Sequence, residues 1–249
     1  MDEMWSFVGK KEKNRDPDDP ADALRGDCWD HVALDAESRL VLSVIPGRRT
    51  AENTNRLVED VKRRLGGRTP DLITTDEYAP YKTAVLETFG ETVVPPKTGK
   101  AGRPRKPRKA APPGLNYATV HKTREQGRVV KAERKIVFGT AIAVAAVLAA
   151  SLASGTINTS FVERHNAGER HRNARKARKT YRFSRDWATH EAMTYLTNCA
   201  GNFLCPVATL SVRDAAGSRA PRTPAMAAGL TDHVWTLAEW LKRPAVQRV

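Results

Sequence analysis

The sequence predicts a mixed α/β fold carrying a basic insert and a helical C-terminal extension. Three observations predict it. Short β-rich runs near the start are joined by turn residues, amphipathic helical stretches then alternate with short apolar strands, and the composition changes sharply near residue 95. The chain has 249 residues, 42 Lys plus Arg against 28 Asp plus Glu, and a formal net charge of +14. Forty per cent hydrophobic content can fill a real core and excludes a fully disordered chain. Cys28, Cys199 and Cys205 form no CxxC pair, which excludes a zinc ribbon and fits a reducing compartment. Asp2 and Glu3 stand where a signal peptide would be basic, so a cytoplasmic protein is expected.

The elements follow in order. Residues 4–8 form an apolar run ending at Gly9 and read as a strand, and the charged, Pro-rich stretch 10–26 reads as a loop. Runs 29–34 and 40–45 are β-rich, separate at a turn-like 35–39 and close on Pro46-Gly47, so they predict an antiparallel pair. Thr50 can cap a helix with Leu57, Val61 and Leu65 along one face and Gly66-Gly67 at its end. A short strand over 72–75 stops at Asp76, a helix over 80–89 stops at Gly90, and a strand follows at 92–94. The order β-β-β-α-β-α-β is that of a ribonuclease-H-like mixed sheet flanked by helices. It is expected to occupy residues 1–204, with a flexible basic insert at 95–116 and a tail with a short helix at 205–249.

Within the insert, 95–114 is rich in Gly, Pro, Lys and Arg and has no apolar periodicity, so no core element is expected there. Runs 117–122 and 128–138 predict a hairpin around Gln126-Gly127. Residues 136–162 hold no charged side chain, and about 18 uncharged apolar residues are enough to span a bilayer. Seven of the eighteen residues 136–153 are alanine, however, and Gly139 and Thr140 interrupt the run. A strand, a helix from Ala141 and a polar loop explain the pattern better than a membrane span. Ser160 can cap a helix running to about Lys179, and Ser184 another that carries Trp187, Met193, Leu196 and Phe203. A last helix is expected over 231–241.

Charge is unevenly placed. Residues 1–96 carry 14 basic and 19 acidic side chains, whereas residues 97–249 carry 28 and 9, a net of +19. Segments 97–135 and 161–185 supply most of the excess, and positive charge so concentrated suits a nucleic-acid backbone. Asp2, Asp76 and Glu163 stand at strand and helix ends that this element order would bring together. Three adjacent carboxylates repel one another unless a divalent cation holds them, and Mg²⁺ suits such a set.

Three segments carry a more specific signal: Asp2-Glu-Met-Trp-Ser-Phe-Val8, Thr75-Asp-Glu-Tyr-Ala-Pro-Tyr81 and Ser160-Phe-Val-Glu-Arg-His-Asn166. Together they resemble the signature blocks of insertion-sequence DDE transposases, the IS-one family in particular. These blocks are an aspartate followed by Glu and an aromatic in the first strand, a TD-x-x-x-x-Y block, and an [IV]ERHN helix start. The resemblance covers about residues 1–204. It implies Mg²⁺-dependent cleavage and strand transfer of double-stranded DNA at transposon ends and target. Asp2, Asp76 and Glu163 would hold two Mg²⁺ ions, with Mn²⁺ as an alternative, and Arg170, seven residues past the glutamate, would touch DNA. It further implies a homodimer or larger assembly on DNA, association with the nucleoid and no membrane partner. The tail Thr223-Pro-Ala-Met-Ala-Ala-Gly-Leu230 is also similar to one in related transposases.

Further DNA contacts are expected from Arg103, Arg105 and Lys106, where Gly102-Arg103-Pro104 resembles the core of an AT-hook, and from Arg172 and Arg175. The basic side chains of 164–182 lie on more than one helical face, so some are merely solvated. His165 and Asn166 read equally well as partners of metal-bound water and as packing residues. Tyr78 and Tyr81 read first as packing residues.

Two departures from the family pattern matter. The family's N-terminal zinc ribbon and helix-turn-helix have no counterpart in this sequence, and Asp2 is its second residue, so the strand that positions it lacks a leading half. A carboxylate at a frayed end binds metal poorly. The alternative expectation is therefore a truncated, catalytically inactive DNA-binding remnant, or a start assigned too late.

Overall fold

The computed structural model describes residues 1–95, 105–213 and 217–243. Its elements run β1 (Asp2–Val8), β2 (Gly26–Leu34), β3 (Val41–Gly47), α1 (Ala51–Arg64), β4 (Ile73–Thr75), α2 (Pro80–Phe89), β5 (Glu91–Val93), β6 (Arg108–Ala110), β7 (Tyr117–Glu125), β8 (Arg128–Phe138), α3 (Ala141–Ala150), α4 (Ser160–Arg172), α5 (Trp187–Leu204), β9 (Val212–Arg213), β10 (Arg219–Ala220), α6 (Pro224–Ala227) and α7 (Leu237–Lys242). The fold is mixed α/β with several small sheets, and its first seven elements follow the order expected from the sequence. The chain divides into two compact units, Met1–Asp2 with Arg49–Ser160, and Glu3–Arg48 with Phe161–Val249.

The first unit is built by local signals. The Thr50 hydroxyl accepts from the Asn53 amide and starts α1, and Gly66 and Gly67, both at positive φ, end it. One face of α1 buries Leu57, Val58 and Val61, and α1 packs on α2, which buries Tyr81, Ala84, Val85 and Phe89. The sheet runs β4-β7-β8, with β4 parallel to β7 and β7 antiparallel to β8. Gln126 and Gly127 have φ of 47° and 80°, the two left-handed residues that a tight two-residue hairpin turn requires. Ala118, Val120, Val144 and Ile157 form the core under α3, with Leu72, Ile136 and Leu148 packed against them. The uncharged run is thus a strand end, a ten-residue helix and a loop. Among the described residues no helix is long and apolar enough to cross a membrane. Inside the basic insert β6 pairs with β5, and both strands stay at the surface and add nothing to the core.

In the second unit, β1-β2-β3 form a sheet in which β2 and β3 are antiparallel, from Trp29 opposite Gly47 to Leu34 opposite Val41. Val32, Val41, Val44 and Val162 cluster beneath it, with Leu34 and Tyr195 against them. Helix α5 completes the end strand β3. The Asn202 side chain accepts from the Val41 amide at 2.9 Å and donates to the Val41 carbonyl at 3.0 Å, so one amide satisfies both backbone groups of an edge residue. The loop over 10–26 is tied down by Asp22, fully buried, which takes Lys10, Arg25 and the Asp16 amide.

Three helix boundaries differ from expectation. Helix α4 stops at Arg172 rather than near Lys179, because Lys176 leaves the helical path to reach a buried acid. Asp186, not Ser184, caps α5, since Ser184 is drawn into a bridge with Val8. Helix α7 starts after Thr236, whose hydroxyl and Glu239 form a capping box, while Trp235 and Trp240 stack on Phe203 of α5. Asn202→Leu should lower the stability of the chain by about 3 kcal/mol in urea unfolding, because both Val41 backbone groups are left unpaired. Asn202→Asp, which keeps an acceptor but no donor, should cost less.

Candidate functional site

Asp76 is the first residue past β4. Its carboxylate accepts the Tyr78 amide at 3.1 Å, a local turn that holds the side chain, and faces the Arg49 guanidinium at 3.7 Å. Arg49 also stacks 4.0 Å from the centre of the Tyr78 ring, and the Tyr78 hydroxyl donates to the Arg49 carbonyl at 3.2 Å. Tyr78 therefore clamps the arginine that faces the aspartate. Tyr81, fully buried, meets the Tyr78 ring edge-on and has the packing role expected of it.

The chain's α-amino group donates to the Thr74 carbonyl at 2.7 Å. Asp2 is the next residue on one side of that bond and Asp76 lies two residues on at the other, and both acids are half-buried members of the first unit. Glu163 belongs to the second unit, half-buried in the first turn of α4, where an acid is favoured by the helix dipole.

The predicted DNA-contacting side chains have varied surroundings. Arg105 and Lys106 are exposed, and Arg103 lies outside the described residues. Arg170 is partly buried and donates to the Lys176 carbonyl at 3.3 Å, and burial lowers its pKa. Arg172 is exposed yet grips the fully buried Glu169, with Nε at 2.9 Å and Nη2 at 2.8 Å from one oxygen. Arg175 is half-buried. His165 meets the Asn198 side chain at 2.7 Å, and burial lowers its pKa, so it is a packed, neutral imidazole between α4 and α5.

A group that the sequence reading did not single out sits in the second unit. Cys28, Asp30 and His190 are buried with ligand-type atoms within 4.8 Å of one another. Lys176, also without solvent exposure, contacts the Asp30 carboxylate and reaches the Thr194 hydroxyl at 2.5 Å. His190 bonds Ser184 at 2.9 Å through Nδ1 and Ser6 at 3.2 Å through Nε2. Burial, helped by the Asp30 charge, pushes the Cys28 thiol up to about 12, and burial pulls His190 down to about 4. A Cys/Asp/His donor set suits zinc better than magnesium. Here, however, the Lys176 ammonium already supplies the positive charge that Asp30 requires, so the group reads as a structural network. Its signal in the sequence was the alternation of β2, which turns Cys28 and Asp30 to one face.

Lys176→Met leaves the Asp30 carboxylate buried and uncompensated, and should cost about 3–5 kcal/mol in urea unfolding. Adding Asp30→Asn to that variant should recover part of the loss. His190 is neutral in the folded chain and ordinary, near 6.5, when unfolded. Stability is therefore complete above pH 6.5 and falls by up to about 3 kcal/mol as the pH drops towards 4, a trend that His190→Gln should flatten.

Compared with known proteins, the chain matches no family model, no curated protein and no solved structure.

Proposed function

We propose that the chain is the catalytic region of a DDE transposase with a ribonuclease-H-like fold. It would cut double-stranded DNA at transposon ends and join the freed 3′-hydroxyl to a target strand. The observation that carries the reading is the α-amino bond to Thr74, which ties the residue before Asp2 to β4, the strand that stops one residue before Asp76. Further support comes from the order of the first seven elements, the parallel pairing of β4 with β7, and the three motif blocks.

Asp2, Asp76 and Glu163 would hold the metal. Their donor set is wholly carboxylate oxygen, and none of the three is sealed from solvent, which fits a hard cation that keeps water and phosphate oxygens as ligands. Bound Mg²⁺ would supply activation of a water or 3′-hydroxyl and stabilisation of the leaving oxygen. The chain's own residues would position the acids: Tyr78 through its amide, Arg49 through charge. The exposed Arg105 and Lys106, with the exposed Arg178, Lys179 and Arg182 after α4, would meet the DNA backbone, and an assembly of two or more copies would pair the two ends.

Arg49 also favours a second reading, a DNA-binding remnant without catalysis, because it already neutralises Asp76. Supercoiled DNA carrying the element's ends separates the two. On the catalytic reading, Mg²⁺-dependent nicking is present, and Asp76→Asn or Glu163→Gln lowers it by at least 10²-fold without weakening duplex binding, while Arg49→Ala tightens Mn²⁺ binding. Absence of nicking alongside intact, strongly salt-dependent binding selects the remnant. In either case the logarithm of the duplex affinity should fall against the logarithm of salt with a slope of about −0.9 per phosphate contacted, and a flat response removes DNA as the partner.

A further inference from the structure

The β7–β8 hairpin outruns its core. Val120 and Ile136 pack beneath α3, but no residue from 121 to 135 is buried, so the outer ribbon is open on both faces. A two-stranded ribbon of this kind is marginal by itself in water, and a partner that covers it adds to its stability.

Its chemistry indicates which partner. The span 121–135 holds six Lys or Arg residues and two Glu. Some of this charge is spent internally: Arg134 donates to the Ile157 carbonyl at 2.8 Å, Lys131 pairs with Glu133 at 2.7 Å, and His121 meets Glu77 at 2.8 Å. Among the described residues no ion pair engages Arg124, Arg128 or Lys135.

Register fixes their faces. Arg124 lies opposite Val129, and Arg128 opposite Glu125, so the two arginines nearest the tip project from opposite faces, while Lys135 shares the Arg128 face. Between them the tight Gln126-Gly127 turn narrows the tip, and a register shift beside Arg124 leaves Val129 and Val130 47% and 53% exposed. A ribbon lying flat on a polyanion needs its cations on one face. Cations on both faces, beside two exposed valines just behind the tip, suit a ribbon with a phosphate strand on each side. The major groove of duplex DNA, about 12 Å wide, admits a two-stranded ribbon.

We infer that the outer half of the β7–β8 hairpin inserts into a groove of duplex DNA, with Arg124 and Arg128 on the flanking phosphates and Val129 and Val130 towards the base edges. This rests on the reading of the chain as a DNA-acting protein.

The test uses the full chain, a labelled 30-base-pair duplex and fluorescence anisotropy across a salt series. Arg124→Glu combined with Arg128→Glu should weaken binding at least tenfold and reduce the salt slope by about 1.8, two phosphate contacts at 0.9 each. The melting temperature should change little, the loss being confined to the Glu125 carboxylate that Arg128→Glu would face across the ribbon. Val129→Ser with Val130→Ser should weaken binding without changing the slope. The inference is overturned if the double arginine variant binds like the parent. If Arg105→Glu with Lys106→Glu then abolishes binding, the DNA reading survives and the contact lies in the insert. A parent chain that binds no duplex overturns both. A parent dimer that the arginine variant splits, with DNA affinity unchanged, assigns the ribbon to a second copy of the chain and overturns the inference too.

Discussion

A lysine ammonium and an aspartate carboxylate, neither with any exposure to solvent, meet inside the second unit, and much of that unit's path follows from the need to satisfy them. Removing two charges from water carries a large desolvation penalty, which the close contact and the added bond to Thr194 offset in part, while Asp30 Oδ1 stays buried without a hydrogen-bond partner among the described residues. Lys176 divides its donors between Asp30 and Thr194, and Thr194 donates onward to the His190 carbonyl. The His190 ring is held between Ser6 and Ser184. The network therefore links β1, β2, the segment after α4, and α5. It also explains why α4 ends early: a continuous helix to Lys179 would carry Lys176 away from Asp30.

The first unit rests on a different constraint. Its sheet, β4-β7-β8, is covered where apolar side chains allow and bare where they end. Helix α3 buries Val144 and leans Leu148 on the sheet, but its alanine-rich remainder cannot cover the outer hairpin. The same ladder is thus core at Ala118 and Val120 and surface from His121 outward. Asp76 sits at the covered end, where β4 stops and a rigid scaffold passes directly into a turn. That is the usual arrangement for a functional side chain on a loop.

The charge distribution divides along similar lines. Several of the basic side chains that gave the second half of the sequence its nucleic-acid character have partners within the fold: Lys176 is buried, Arg172 holds Glu169, and Arg170 turns back to a carbonyl. By contrast, Arg124, Arg128 and Lys135 of the hairpin are exposed. A count of Lys and Arg cannot separate these two populations, because the distinction depends on which acids or carbonyls the tertiary fold brings within reach.

By itself the sequence determined the local elements: the Thr50 cap, the Gly66-Gly67 stop, the Gln126-Gly127 turn, and the strand-helix-loop reading of the uncharged run. Each is set by φ/ψ preference or by side-chain to backbone bonds within a few residues, so it needs no distant partner. Tertiary structure decided what lies far apart in the chain. It pairs Lys176 with Asp30 across 146 residues and Asn202 with Val41 across 161, it moves the cap of α5 from Ser184 to Asp186, and it sets Arg49 against Asp76. Those contacts are legible only once the backbone has brought the partners together, because a buried charge or an open strand edge selects its partner by proximity and not by sequence spacing.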